Sequence, residues 1–142
     1  MDSQHQVLQP WTQGAVDLPN GQIATKLVIG DDSDPRATRA FIVKWPPRCR
    51  VDVHTHESDY CEIILEGTQK VGADWFCAGD VRMAKAGTMY GPLVAGEDGC
   101  TIIVIFNGDG WMPIPARETR LEGIKAADMA VLKVPETGKA RP

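Results

Sequence analysis

Closely spaced turn signals divide this chain into short segments, and they constrain its fold more than any other feature of the sequence. The 142 residues include 14 glycines and 10 prolines. Clusters such as LPNG, GDDSDP, LEG, CAGD, AGEDG and NGDG suit the backbone angles that tight turns require. Between these clusters the chain is rich in β-branched and aromatic residues, which favour strands. Strands at this spacing are typical of an antiparallel sandwich or barrel, not of alternating strands and helices.

About seven segments have this strand-like composition. They are residues 22–30, 37–45, 49–56, 60–67, 68–76, 80–86 and 100–108. Only the tail, residues 115–135, has the Ala, Glu, Lys and Leu content of a helix, interrupted by Gly123 and ended by Pro135. We therefore predict a single all-β domain over residues 1–142, with a short helical or irregular C-terminal extension at about 112–142.

Composition and charge indicate an ordinary globular protein and argue against two classes of partner. The sequence is 43% hydrophobic and 24% charged. Its 15 basic and 19 acidic residues give a formal net charge of −4, and no basic block of the kind that binds nucleic acid is present. No apolar run is long enough to span a bilayer, and the polar N-terminus lacks the pattern of a secretory signal. We expect a cytoplasmic protein with no nucleic-acid or membrane partner.

The four cysteines fit the same expectation. Cys49, Cys61, Cys77 and Cys100 are widely separated and form no CxxC pair, which disfavours a structural zinc site or a thioredoxin-type motif. A chain of this length can build a sufficient core without disulfides. We interpret all four as reduced thiols.

The stretch RVDVHTHESDYCEIILEG, Arg50–Gly67, carries the candidate functional residues. Alternate residues of a strand face the same side, so His54 and His56 should project together. After the turn ESD, the next strand should carry Tyr60 and Glu62 on one face. If the two strands pair, two imidazoles and a carboxylate converge on one small volume. Such a set suits a divalent transition metal, namely Fe, Mn, Ni or Zn.

Glu62 also argues for an internal site, because it is followed by the apolar run Ile-Ile-Leu. Burying an unpaired carboxylate is costly, so an inward Glu62 needs a cation or hydrogen-bond donors nearby. Either a metal bound by His54, His56 and Glu62 or a hydrogen-bonded pocket without a metal meets this need.

Two stretches resemble the characteristic motifs of the cupin superfamily. HTHESDYCEIILEG resembles the first motif, in which His-x-His is followed by Glu and then Gly, and GDVRMAKAGTMYGP, Gly79–Pro92, resembles the second. The resemblance spans residues 46–106, and we place the motif core at about 46–107. It implies a cupin-type antiparallel β-barrel of about six to eight strands, a jelly-roll-like double-stranded β-helix. It also implies a ligand pocket inside that barrel and, commonly, a bound transition metal.

The match to these motifs is incomplete. His54 and His56 match the first two metal ligands of the family. Tyr60 stands where the usual Glu is expected, and Glu62 follows two residues later. Tyr90 stands where the second motif has its His ligand. The resemblance therefore implies a variant metal site built on His54, His56 and Glu62.

Three side chains have alternative roles in such a site. Asp59, in the turn, is a competing third ligand. Tyr90 could coordinate as a phenolate, because a metal lowers the pKa of its ligands, or it could donate a hydrogen bond to a substrate oxygen. Tyr60 and Tyr90 are the only two tyrosines of the chain, and both fall at ligand positions of the family pattern. We predict catalytic roles for both, in acid–base chemistry or oxyanion stabilisation.

Three functions are compatible with these residues. The first is a metal-dependent enzyme of dioxygenase, lyase or isomerase type that acts on a small organic molecule inside the barrel. The second is a metal-free isomerase or cyclase that uses His, Glu and Tyr as acid and base. The third is a non-catalytic module that binds a metal or a metabolite. The first is the prediction that we favour, and elemental analysis would separate it from the second.

A homodimer is a further expectation from the resemblance. Small bacterial cupins commonly pair through an apolar outer sheet face. Ile63, Leu65 and the alternate side of CTIIVIF could supply such a face in this chain.

Overall fold

The computed structural model describes residues 5–116 and residue 132 of the chain. This part is all-β, which confirms the predicted fold class. Its strands are β1 (Val16–Asp17), β2 (Ile23–Val28), β3 (Arg39–Trp45), β4 (Arg50–Val51), β5 (His54–Thr55), β6 (Tyr60–Val71), β7 (Asp74–Cys77), β8 (Val81–Ala84), β9 (Leu93–Phe106) and β10 (Ile114–Pro115). The described residues contain no helix with the length and apolar character needed to cross a membrane.

One antiparallel sheet of eight strands dominates the structure. Its order is β1-β2-β3-β9-β6-β7, with β4 added to β9 and β8 added to β6. The two remaining strands, β5 and β10, form a small sheet of their own. The first part of β9 pairs with β4 and the end of β6, whereas its second part pairs with β3 and the start of β6. The longest strands, β6 and β9, therefore connect the other strands of the barrel.

Both long strands extend beyond the boundaries that the sequence predicts. The sequence predicts a break after LEG and a turn at AGEDG, but β6 and β9 run through these stretches. Two register shifts in the β6–β9 pairing flank Gly67, whose φ is 74°. A β-bulge bends a strand and increases its twist without ending it, so the turn-like residues are absorbed into the ladder. Predicted segment 49–56 differs in the other direction, since it divides into the two short strands β4 and β5.

The predicted C-terminal extension lies largely outside the described residues. Within its first residues the chain forms β10, which pairs with β5. The side chain of Leu132 is buried and packs with the core.

The side chains of β3, β6 and β9 alternate between a closed interior and the outer surface. Phe41, Ile64, Ile102 and Phe106 face inward and are at most 4% exposed. The opposite parity forms two neighbouring rows across β8, β6, β9 and β3, which we name the outer apolar face. One row is Met83, Cys61, Ile105 and Ala40, and the other is Val81, Ile63, Ile103 and Ile42. Met83 and Val81 are 78% and 52% exposed.

Candidate functional site

A cavity of about 100 Å³ lies inside the barrel. Most of its wall is apolar, with side chains from β2, β3, β4 and β9. His54, His56, Glu62 and Tyr90 line it together and form its main polar cluster. Four of the candidate residues predicted from the sequence therefore share one cavity inside the barrel, whereas Tyr60 is not among the residues that line it.

Main-chain pairing brings His54 and Tyr90 together although they are far apart in sequence. The amide of His54 donates to the carbonyl of Tyr90, and the amide of Tyr90 donates to the carbonyl of His54, at 3.1 Å each. The carbonyl of His56 accepts from the amide of Gly87 at 2.9 Å. The two imidazole rings are perpendicular, with centroids 4.9 Å apart. Backbone hydrogen bonds thus fix the position of each side chain in the cluster.

In both histidines one ring nitrogen lies against a backbone carbonyl oxygen, and the other faces the hydroxyl of Tyr90. Nδ1 of His54 lies 2.8 Å from the carbonyl oxygen of Asp52, and Nδ1 of His56 lies 2.8 Å from that of Trp111. A carbonyl oxygen only accepts, so each Nδ1 carries the proton and each Nε2 presents a lone pair. Both Nε2 atoms are 2.7 Å from the hydroxyl oxygen of Tyr90. A single O–H cannot donate to both, so one buried Nε2 is left without a proton to accept.

The protonation states follow from burial. Burial lowers the pKa of His54, against the opposing hydrogen bond to Asp52. Burial, together with the neighbouring His54, lowers the pKa of His56 from 6.5 to about 3. Burial and the nearby Tyr60 raise the pKa of Tyr90 far above its ordinary value. At neutral pH the cluster therefore holds two neutral imidazoles and one protonated phenol.

Glu62 turns inward as predicted, but its partner is an arginine. Nη2 of Arg82 donates to Oε2 of Glu62 at 2.6 Å, and Nη1 of Arg82 donates to the hydroxyl of Tyr60 at 2.9 Å. The guanidinium carbon of Arg82 also lies 4.6 Å from the centroid of the Tyr90 ring. Oε1 of Glu62, in contrast, is buried and has no hydrogen-bond partner among the described residues.

The Glu62–Arg82 pair is an ion pair inside the barrel. The two side chains are 5% and 15% exposed. Burial raises the pKa of Glu62, whereas the charge of Arg82 acts to lower it. The pKa of Arg82 is raised: burial would lower it, but the charge of Glu62 and the neighbouring hydroxyls of Tyr60 and Tyr90 outweigh that effect. Gln69 lies beside Glu62 and also lowers its pKa, yet neither polar atom of its fully buried amide makes a hydrogen bond of ordinary geometry.

Asp59, the competing ligand, lies outside the cluster. Its carboxylate accepts from the amide of Ala86 at 2.8 Å and pairs with Lys85 at 3.6 Å on the surface. Across residues 5–116 and 132, no group of three or more His, Cys, Asp and Glu side chains is arranged to hold a metal ion.

Sequence reasoning missed Arg82. A charged residue between Val81 and Met83 is usually the solvent side of a half-exposed strand, but in β8 the two apolar residues face outward and Arg82 faces inward. One signal was present, because a buried Glu62 requires a cationic partner. β8 pairs with β6 and aligns Arg82 directly with Glu62.

The barrel resembles several solved structures. An RmlC-like cupin from Shewanella frigidimarina superposes with a TM-score of 0.57 at 19% identity, covering 80% of this chain and 96% of that chain. The fold is that of a cupin. A structure of the DMSP lyases RdDddP and RnDddQII gives a TM-score of 0.56 at 16% identity, covering 72% of this chain and 56% of that chain.

A third match is a Rhodobacter sphaeroides complex of SigE with the anti-sigma ChrR. It has a TM-score of 0.53 and 19% identity, covering 65% of this chain. This chain spans only 48% of the length of that match. No family model matches the sequence, and no curated protein matches it significantly. At these identities the similarity establishes the cupin fold and leaves the chemistry to the residues of the site.

Proposed function

We propose that this protein is a metal-dependent cupin enzyme that converts a small organic molecule inside the barrel, with His54, His56 and Tyr90 as the metal-binding side chains. One observation carries the proposal: the Nε2 atoms of His54 and His56 both lie at hydrogen-bond distance from the Tyr90 hydroxyl, which has only one proton to share between them. A cation in place of that proton would satisfy all three atoms at once. A divalent metal bound there supplies Lewis-acid chemistry or oxygen activation.

The chemistry of these donors fits a transition metal. Imidazole nitrogen and anionic oxygen suit Fe, Mn, Ni and Zn. Metal-binding histidines typically donate the other ring N–H to a carbonyl or carboxylate, as His54 and His56 do to Asp52 and Trp111. Coordination also requires neutral imidazole, which the burial of both rings favours.

This donor set replaces Glu62, the third ligand predicted from the sequence, with Tyr90. Both Nε2 atoms lie 2.7 Å from the hydroxyl oxygen of Tyr90, whereas Glu62 is held by Arg82 at 2.6 Å. We assign Glu62 instead to binding Arg82 and, through its unpartnered Oε1, the substrate.

Tyr60 is our candidate for proton transfer. Its hydroxyl oxygen accepts from Arg82, so its own proton remains available to a neighbour. Burial raises the pKa of Tyr60, and the hydrogen bond with Tyr90 counteracts that effect, as do the charge and hydrogen bond of Arg82, which stabilise the phenolate. Arg82 thereby makes Tyr60 a better acid than burial alone would allow.

Metal binding by substituted proteins tests the proposal. Zinc affinity is measured by calorimetry on chelator-treated protein and on the variants H54Q, H56Q, Y90F and E62Q. We expect losses of at least about 100-fold for the two histidine variants and about 10- to 100-fold for Y90F. E62Q, the matched control, should bind zinc within about threefold of the original protein.

The same series identifies the alternatives. Loss of binding in E62Q with none in Y90F would restore the donor set predicted from the sequence. A protein that takes up no metal, with turnover unaffected by chelation, would contradict the proposal and support the metal-free isomerase or cyclase. Uptake of metal without turnover of any substrate would support the binding module.

We also propose that the protein is a homodimer formed through the outer apolar face. The two rows of this face contain eight residues on four strands, and none of them is charged. An exposed apolar surface of this kind marks an interaction site, and the surface that covers it best is equally apolar. A second copy presents that surface by two-fold symmetry.

A further inference from the structure

The described wall of the cavity carries little charge. Leu18, Phe41, Val43, Leu93, Ile102 and Val104 supply much of its apolar wall. None of the described lining residues is Lys or Arg. Arg82, the nearest guanidinium, already binds Glu62 and Tyr60. A ligand with several charges or hydroxyl groups would bury them against hydrocarbon, at a cost for each unpaired group.

One polar group of the ligand does have a complement. Oε1 of Glu62 is buried and accepts no hydrogen bond of ordinary geometry from the described residues, although the amide of Gln69 lies beside this carboxylate, while Oε2 is held by Arg82. Glu62 is only 4% exposed and lines the cavity. A carboxylate oxygen in this position accepts a hydrogen bond, so the matching ligand group is a donor such as a hydroxyl.

The volume limits the size of the ligand. An apolar cavity of about 150 Å³ accommodates a benzene molecule. The cavity here measures about 100 Å³. A hydrocarbon body of about four carbon atoms therefore fits without movement of the wall.

We infer that the molecule bound in this cavity is a small hydrocarbon-bodied compound with a single polar head, a hydroxyl group that meets Glu62. Sugars, polyols and dicarboxylates are excluded from this class. The inference rests on the proposed function, because it takes the cavity beside His54, His56 and Tyr90 as the substrate site.

A matched pair of four-carbon probes tests the inference. Butan-1-ol carries one hydroxyl on a hydrocarbon chain, whereas erythritol carries a hydroxyl on every carbon of a chain of the same length. Both are titrated into the full-length protein, with valine methyl resonances followed by NMR, and succinate serves as the dianionic probe. We expect butan-1-ol to bind at least about tenfold more tightly than either of the others and to shift the methyl resonances of Val104.

Two substitutions on one strand locate the binding. Val104 faces the cavity, and its neighbour Ile103 lies on the outer apolar face. V104F should fill the cavity and weaken butan-1-ol binding at least about tenfold, while I103F should leave it within about twofold. If V104F does not fold, V104I adds a single methyl group at the same place and should weaken binding in the same direction.

The inference is overturned if erythritol or succinate binds as tightly as butan-1-ol, or if butan-1-ol leaves the Val104 resonances unmoved. All titrations are repeated on zinc-treated and chelator-treated protein, which separates this inference from the metal proposal. Preference for butan-1-ol in a protein that takes up no zinc would support the ligand class and reject the metal site. Zinc uptake without a preference for butan-1-ol would support the metal site and reject the ligand class.

Discussion

At the scale of single residues, the buried ion pair between Glu62 and Arg82 is the most consequential contact of the site. Replacing only one partner of such a pair leaves an uncompensated charge in a low-dielectric interior. We expect R82M to lower the free energy of unfolding by about 3–5 kcal/mol, measured by urea denaturation. The double variant E62Q/R82M removes both charges and should recover part of that loss. A double variant no more stable than R82M would contradict the assignment of the pair.

His56 gives the chelator-treated protein a specific dependence of stability on pH. Its pKa falls from 6.5 to about 3 on folding, so below pH 6.5 the unfolded chain binds a proton that the folded chain does not. Its contribution to stability is complete above pH 6.5 and is lost as the pH falls towards 3, by about 1.4 kcal/mol per pH unit. The titratable side chains that surround His56 are His54, Tyr60, Tyr90 and Arg82.

Comparison with H56Q separates the contribution of His56 to the pH dependence of stability from the titration of Glu62 and other groups. Urea unfolding is measured for both proteins at several pH values between these two limits. The difference in the free energy of unfolding between them should shrink as the pH falls. A difference that is constant with pH would show that His56 does not titrate as its burial implies.

At the scale of secondary-structure elements, the bulged crossing of β6 and β9 shapes the barrel. Gly67 has a φ of 74°, and an added Cβ there would meet the carbonyl oxygen of Gly99. G67A should therefore lower the free energy of unfolding by more than the strain of a positive φ alone, which is about 1–3 kcal/mol.

Gly79 offers a matched control for this prediction. Its φ is 93°, but a Cβ would meet nothing within 4 Å, so G79A carries only the conformational strain. Thermal and urea unfolding of the two variants should rank G67A as the less stable. Equal losses would mean that the close approach to Gly99 contributes nothing.

The same elements explain what the sequence could predict. Strand parity placed Glu62 of β6 towards the interior, because alternation along a strand is a local property. His54 and His56 also face inward, although β5 ends at Thr55 and pairs with β10 instead of β6. The lengths of β6 and β9 were not predicted, because the sequence around a glycine in a β-bulge looks the same as the sequence of a turn. Arg82 and the carbonyl of Trp111 were missed because their roles depend on pairing between distant strands. Tyr90 was identified from the family pattern alone, and its contact with both histidines comes from its bridge to His54.

At the scale of the whole molecule, the outer apolar face predicts the assembly. A glutamate in the middle of this face would be desolvated in a dimer, so I103E should shift the protein from dimer to monomer in sedimentation velocity experiments. I29E is the matched control, because Ile29 is 72% exposed and lies outside the two rows. A monomeric original protein, or a dimer that survives I103E, would contradict the proposal.

The reciprocal hydrogen bonds between His54 and Tyr90 belong to the backbone ladder, which forms as the polypeptide folds. In the metal site that we propose, the three donor atoms are therefore in place before an ion binds, and removing the ion should leave the fold intact. One preparation could then be emptied and refilled in turn with iron, manganese, nickel or zinc. Comparing turnover after each exchange would identify the active metal without refolding the polypeptide.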